Sequence, residues 1–434
     1  MNQLLGRLLL LASIGVALYP IDSRAETLDD AWRTALGNDQ WLQAGRSRVS
    51  AAADELAAAR SGRLPSLTAS AGLNRFDEAP SFDFSGAGVP ATLPLFDGET
   101  METADARVTM PLYAGGRIRY GIDAAQAMLD AQSARSMADE QQVKLDVARR
   151  FIDVLRAERA LAVADSTVAS LRAHVADVDD MFRAGAVARN DYLSAAVSLA
   201  DAEQRRLQSR NALDLASAAY NRALGRPLDA PVTLDEQLPA IDISLDLTSP
   251  DALTAVALME RDEIDGIESA AAAYRAQSKS MRGGILPQLA VTGGYVSMPN
   301  EFLNRDDFWM VGIGVQWKLF DGGQTRRQAD ALNSRAYALT HEQAHFESLV
   351  ALEVRQAWLR LEETRERKRL AERAVEQAEE NLRVVRDRYR NGEGTNTEVL
   401  DAETLRRISH SNFDNADFDA SLALYELARG VGRL

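Results

Sequence analysis

The sequence predicts a mostly helical chain in which long antiparallel coiled-coil helices join four β-strands of membrane-crossing length, with the whole plan written twice. Three observations carry this reading. The first is an apolar seven-residue spacing at Val147, Val154, Leu161, Val168, Val175 and Phe182, with Ala157, Ala164, Leu171 and Val178 as the second seam positions. Such a repeat, sustained over this length, keeps one seam facing a partner helix and imposes a left-handed supercoil. The second is a constant shift of 207 residues, which reproduces the seam at Val354, Leu361, Val375, Leu382 and Tyr389, with Ala357, Ala371, Ala378 and Val385 beside it. Lys368 breaks the match. The same shift carries Phe151 to Trp358, Gly185 to Gly392, Leu193 to Leu400, Arg222 to Arg429 and Gly225 to Gly432. A shift held without a gap across this span marks an internal duplication. The third observation is a change of period from helical to two, once in each half.

Bulk properties bound the partners. With 434 residues and a formal charge of −15, the chain lacks the basic surface that nucleic acid requires. It has no cysteine, hence no disulfide and no thiolate metal site. The first residues indicate export. Met1 to Arg7 give a short, singly positive start, Leu8 to Tyr19 an apolar core, and Ser23-Arg24-Ala25 a small-x-small cleavage site. This is the tripartite pattern of a secretory signal peptide, residues 1–25. The alternative, a retained anchor helix, needs roughly 20 apolar residues, and this core is shorter. Nothing later is long and apolar enough for a membrane helix.

The first repeat, residues 26–225, opens with an alanine-rich stretch from Thr27 to Ser61 that reads as one helix. Leu64-Pro65 ends it, because the residue before proline is pushed out of the helical region. Alternation then sets in over residues 66–75, where Leu67, Ala69, Ala71 and Leu73 interleave with polar neighbours. After a Pro-, Gly- and Asp-rich loop from Phe76 to Glu102 it returns over 103–112, with Ala104, Ala106, Val108, Met110 and Leu112 on one face. Strands of about ten residues cross a membrane at a barrel tilt. Gly115-Gly116 opens a helix to Arg183 that spans about 100 Å at 1.5 Å per residue. A turn near Gly185 leads to a return helix, Asp191 to Leu224.

A connector, residues 226–250, carries prolines and little periodicity. The second repeat, residues 251–434, follows the same order. A helix from Asp251 to Arg282 meets Leu286-Pro287, strands follow at 288–297 and 308–319, and Asp321-Gly322-Gly323 opens the second long helix, which turns near Gly392. Trp309 and Trp317, near the ends of the last strand, suit an interfacial aromatic girdle. Four strands cannot close a barrel, and an open edge cannot sit in lipid. Either several chains share one barrel, or the strands form a soluble sheet with one wet face.

Taken together these features resemble the TolC-type outer-membrane efflux protein family across essentially the whole mature chain. The resemblance rests on Thr27-Leu28-Asp29-Asp30-Ala31 at the start, the two Leu-Pro steps into strand pairs and the two Gly-Gly exits. It rests equally on the turns Phe182-Arg183-Ala184-Gly185 and Tyr389-Arg390-Asn391-Gly392. It implies a homotrimer in which three chains of four strands share a twelve-stranded barrel in outer-membrane lipid, while their helices form a periplasmic tunnel. It also implies a periplasmic adaptor (membrane fusion) protein and an inner-membrane pump of the RND or ABC type as partners, with no cofactor. The adaptor-contact tips are then Ala184, Gly185, Ala186 and Val187 with Asn391, Gly392, Glu393 and Gly394.

The resemblance also assigns a gate. Glu398 and Asp401, three apart, share a helix face and match two acidic positions that ring the family's narrow tunnel end. Three chains would gather six carboxylates there, a cation-attracting constriction. Read without the resemblance, the pair is equally an ordinary solvated helix face. Tyr389 and Asp191 match two positions of the polar links that close the family's tunnel. The matching arginine is absent, because Gly394 stands there; Arg189 and Arg390 are the nearby candidates to replace it, and a less tightly held gate is expected.

A catalytic reading rests on His341-Glu342-Gln343-Ala344-His345, which fits the zinc-protease pattern H-E-x-x-H. The helix simply continues past it with no third ligand folded back, and the repeat equivalents Ala134 and Ala138 are not histidines, so no enzyme and no metal site is expected. His174 and His410 lie on charged helices and are expected to be solvated. The competing function class is a periplasmic coiled-coil scaffold without channel activity.

Overall fold

The computed structural model describes residues 25–78, 81–83, 86, 92–94, 99–239, 249–299 and 305–434. Residues 1–24, nearly all of the expected signal peptide 1–25, lie outside the described residues.

The chain enters through Thr27, whose hydroxyl caps α1 (Leu28–Asn38) in a reciprocal box with Asp30. The stretch to Ser61 is not one helix. Asp39 is extended, ψ 121°, and separates α1 from α2 (Gln40–Ser61). Its carboxylate accepts the Leu42 amide at 2.9 Å, so the residue that breaks one helix starts the next. The second repeat breaks at the matching place: Arg261, ψ 111°, separates α5 (Pro250–Glu260) from α6 (Asp262–Gly283). Arg261 is almost wholly buried, with its guanidinium on Glu263 and Glu353 at 2.9 and 2.8 Å, and Arg429 holds the same two carboxylates. Strong helix formers on both sides hide these breaks from a reading by propensity. A cap fixes one of them and a buried ion cluster the other.

Four strands form one antiparallel sheet in the order β1-β4-β5-β6: β1 (Ser66–Arg75), β4 (Thr100–Tyr113), β5 (Gln288–Ser297) and β6 (Asp307–Gln316). A separate small hairpin, β2 (Ser81–Asp83) with β3 (Thr92–Pro94), sits within the first loop. β4 runs longer than the alternation suggests because it is paired on both sides, from Arg75↔Thr100 to Tyr113↔Leu289. β6 stops at Gln316, short of Leu319. Its last partner is Gln288, Pro287 has no N–H to extend the ladder, and the Trp317 indole instead donates to the Ile285 carbonyl at 3.1 Å.

The register sorts the sheet into two faces. Leu67, Val108, Gly293 and Val311 lie in one lateral row, and Ala69, Ala106, Tyr295 and Trp309 in the next. Leu67, Trp309, Val311, Ile313 and Val315 on this face are among the most exposed apolar side chains of the chain. Thr68, Arg107 and Ser70, Asp105 fall on the other face. Among the described residues the outer strands β1 and β6 have no partner beyond them.

Two helices of 67 residues, α3 (Arg117–Arg183) and α7 (Gln324–Arg390), carry the chain away from the sheet. Their sheet-proximal halves pack on α2 and α6. The distal halves pair with the return helices α4 (Arg189–Ala223) and α8 (Asn396–Val431). Midway, Phe151, Tyr220, Leu422 and Tyr425 from α3, α4 and α8 close a core over α1, and Val350, Val354, Leu361 and Leu427 do the same over α5. The seam runs from these cores towards the turns, with Val154, Val168, Leu171 and Val178 buried. It opens at its end, where Phe182 is exposed. Lys368, the break in the repeat, leaves the seam for an ion pair with Asp417 at 2.5 Å. Among the described residues no helix is long and apolar enough to cross a membrane.

Candidate functional site at the paired hairpin turns

Both long helices end in the same turn. The Gly185 amide donates to Phe182 and the Ala186 amide to Met181, at 2.9 and 2.8 Å. The Gly392 amide donates to Tyr389 and the Glu393 amide to Arg388, at 3.0 and 2.8 Å. These paired bonds satisfy the last carbonyls of each helix in a Schellman motif, which places a left-handed residue at its corner. Gly185 and Gly392 take that corner at φ 76° and 75°, where other L-residues are strained. A β-carbon would meet nothing within 4 Å at either, so the backbone angle alone requires glycine.

The return helices start differently. Ala188 precedes α4 without a side-chain cap. Thr395 caps α8: its hydroxyl accepts the Glu398 amide, and the Glu398 carboxylate accepts the Thr395 amide, both at 3.3 Å. The same carboxylate lies 4.0 Å from the Arg388 guanidinium. Glu398 is therefore engaged within the chain, whereas Asp401, one turn on, is exposed and makes no side-chain hydrogen bond or ion pair among the described residues. A side chain at Gly394 would come within 3.2 Å of both the Tyr389 amide and the Glu398 carboxylate. The turn folds back too closely for an arginine at that position without displacing its neighbours.

The two hairpins share one apolar cluster of Val178, Ala195, Tyr389 and Val399, with Val187 and Tyr192 packed against it. Tyr389 lies inside it, and its hydroxyl has no hydrogen-bond partner. Burial, reinforced by the nearby Asp191 carboxylate, pushes the Tyr389 phenol above its ordinary range. Tyr389 and Asp191 are thus neighbours without a bond between them. Arg390 is committed to Asp177 at 2.8 Å, and Arg189 is exposed. Neither arginine reaches Tyr389 or Asp191 by a hydrogen bond.

Several residues of this region escaped the sequence reading. His174 is buried, not solvated. Its Nε2 lies 2.8 Å from Asn396 Oδ1 and its ring 5.5 Å from that of Tyr389. It stands three residues after Leu171 and four before Val178, beside the seam residue Val175, so it shares their helix face, and that spacing is the signal that identifies it. His410 is not isolated either, since its Nε2 meets Glu379 Oε1 at 2.6 Å. Burial works to raise the Glu379 carboxyl, but bonds from His410 and Arg406 draw it below its usual range. Further from the tip Glu403, 2 % exposed, is clamped by Arg386 and Ser170 and approached by Arg406 at 3.5 Å. No arrangement of hydrophobic periods announces this layer, because its members are charged residues at seam-adjacent positions.

His341 and His345 stand exposed along an unbroken α7. Among the described residues no group of three or more His, Cys, Asp or Glu side chains is gathered to hold a metal.

The comparisons with known proteins agree with this architecture. The sequence model of the family described as outer membrane efflux protein matches residues 32–226 and 253–428, one segment in each repeat. The chain belongs to that family, whose members are outer-membrane channels reaching into the periplasm and not enzymes. It is 23% identical over 426 residues to the outer membrane efflux protein BepC of Brucella suis, covering 97% of this chain and 88% of that one. It is 23% identical over 422 residues to the outer membrane protein TolC of Vibrio cholerae, covering 94% and 91%. The solved structure of the outer membrane protein VceC from Vibrio cholerae superposes with a TM-score of 0.79 at 17% identity, covering 93% of this chain and 96% of that one.

Proposed function

We propose that three copies of this chain form the exit duct of a tripartite efflux or type I secretion system. The carrying observation is the sheet, which among the described residues has four strands, one exposed apolar face and two unpaired edges. Such a sheet is unstable in lipid until its edges are paired, and three copies in a ring pair every edge. The apolar face then meets outer-membrane lipid and the polar face lines the lumen. The helices continue the lumen as a tunnel across the periplasm. The duct is passive, so transport energy comes from an inner-membrane pump of the RND or ABC type, reached through a periplasmic adaptor that grips the tips at residues 184–187 and 391–394.

Glu398 and Asp401 form the acidic constriction at the tunnel's narrow end. Asp401 is the freer carboxylate and the principal cation site; Glu398 also sets the start of α8. The family's adjacency of Tyr389 and Asp191 is present, while a side chain at residue 394 would require the Tyr389 backbone and the Glu398 carboxylate to give way by a few tenths of an ångström. Purified trimer in a planar bilayer should give a small cation-preferring conductance, and photo-cross-linkers at Ala186 or Glu393 should capture a periplasmic adaptor. Folded trimer that conducts nothing would return the scaffold reading.

A further inference from the structure

One side chain links the first hairpin to both arms of the second. His174 on α3 bonds Asn396 at the start of α8, and its ring packs on Tyr389 of α7. Asn396 in turn donates its amide hydrogen to the Asp191 carbonyl of α4 at 3.1 Å. That bond fixes Asn396 Oδ1 as an acceptor, so His174 Nε2 carries a proton and donates it. Four helices thus meet through His174, Asn396, Tyr389 and the Asp191 carbonyl. Sliding one hairpin against the other breaks at least one of these contacts.

The charges around the ring are already spent. Asp177 on its own helix pairs with Arg390 of α7, and Glu403 of α8 pairs with Arg386 of α7. Asp191 on α4 turns its carbonyl, not its carboxylate, to this set. Arg386 opposes a second positive charge, and the two carboxylates that act on the ring, Asp177 and Glu403, are already held by arginines.

We propose that His174 is an acid-sensitive clasp of the tip, holding the two hairpins together while neutral and releasing them when protonated. This rests on the reading of the hairpins as the gate and adds its regulation, with the uncharged His174–Asn396 pair replacing the arginine whose place Gly394 takes. The sign follows from burial, which with Arg386 outweighs Asn396, Asp177 and Glu403 and holds the imidazole below its ordinary value. Above roughly pH 6.5 the ring is neutral in both states and the clasp is at full strength. Below that, a released, hydrated ring takes the proton first, so the closed tip loses stability as pH falls towards the buried value. Within that window the open-to-closed ratio rises by up to about tenfold per chain for each pH unit.

The test is paired recording and hydrogen exchange on purified trimer between pH 8 and pH 5. Wild type should open as the tip-facing side is acidified, and exchange of residues 171–187 and 389–400, corrected for intrinsic pH dependence, should rise together with it. His174→Gln, which keeps a donor for Asn396 and cannot titrate, should flatten both curves. Asn396→Asp, which gives the imidazolium a carboxylate but gives up the bond to the Asp191 carbonyl, should loosen the tip at pH 8 and remove its further loosening by acid. An acid response identical in wild type and His174→Gln overturns the clasp and assigns gating to groups such as Glu398 and Asp401, as does a wild type insensitive to pH. Folded trimer that never conducts but keeps the His174-dependent exchange response sinks the duct and leaves the clasp standing.

Discussion

The two hairpins descend from one ancestor and still share a frame, yet they have divided the work. Their turns are superposable in chemistry, with Gly185 and Gly392 at nearly the same φ and the same pair of closing bonds. Side chains at equivalent positions have diverged. Phe182 is exposed and stacks on Tyr192, whereas its equivalent Tyr389 is buried between the hairpins. Ala188 leaves α4 uncapped, whereas Thr395 caps α8. Ala196 corresponds to Glu403, the carboxylate of the buried arginine clamp. The second hairpin carries the cap and the buried carboxylate, while the first supplies the partners Ser170, His174 and Asp177. Duplication preserved what the backbone requires and left the contact surfaces free to specialise.

The largest test of this asymmetry is Glu403→Gln. It takes the carboxylate from Arg386 and one of two from Arg406 at a site that is nearly dry, and urea unfolding should show a loss of about 2–3 kcal/mol, at or below the low end for a broken buried pair because Arg386 keeps Ser170 and Arg406 keeps Glu379. The equivalent change Ala196→Ser should stay within about 0.5 kcal/mol. Equal losses at the two sites would erase the distinction.

The shared frame predicts symmetry instead. Gly185→Ala and Gly392→Ala should each cost about 1 kcal/mol, since both impose a left-handed alanine and neither creates a clash. A several-fold difference would mean that one turn is held by contacts that the other lacks. The caps should show the smallest effects, with opposite signs. Thr395→Ala should lose about 1 kcal/mol with its reciprocal bonds. Ala188→Ser, with Asp191 three residues on, should gain roughly 0.5 kcal/mol, making the first hairpin resemble the second. Thermal melting of the trimer resolves both.

How much of this was legible follows the kind of force involved. Heptads, alternation and the shift between repeats report burial of whole faces, so the fold class could be read from the sequence. The breaks at Asp39 and Arg261 could not, because a single cap and a single ion cluster outweigh the propensity of some thirty neighbouring residues. His174 lay on a readable helix face beside the seam and was missed because its charged neighbours, not its spacing, were weighed. The Glu403 clamp and the Asn396 bridge depend on which helices meet, and no local pattern records that.

The most direct test of the central account is single-channel conductance with and without Glu398→Ala/Asp401→Ala. A small, cation-preferring pore that divalent ions block is expected, with the block relieved in the double variant and Asp401→Ala alone giving most of that relief. Channels indifferent to both substitutions would contradict the acidic constriction, and well-folded protein without channels would contradict the duct itself.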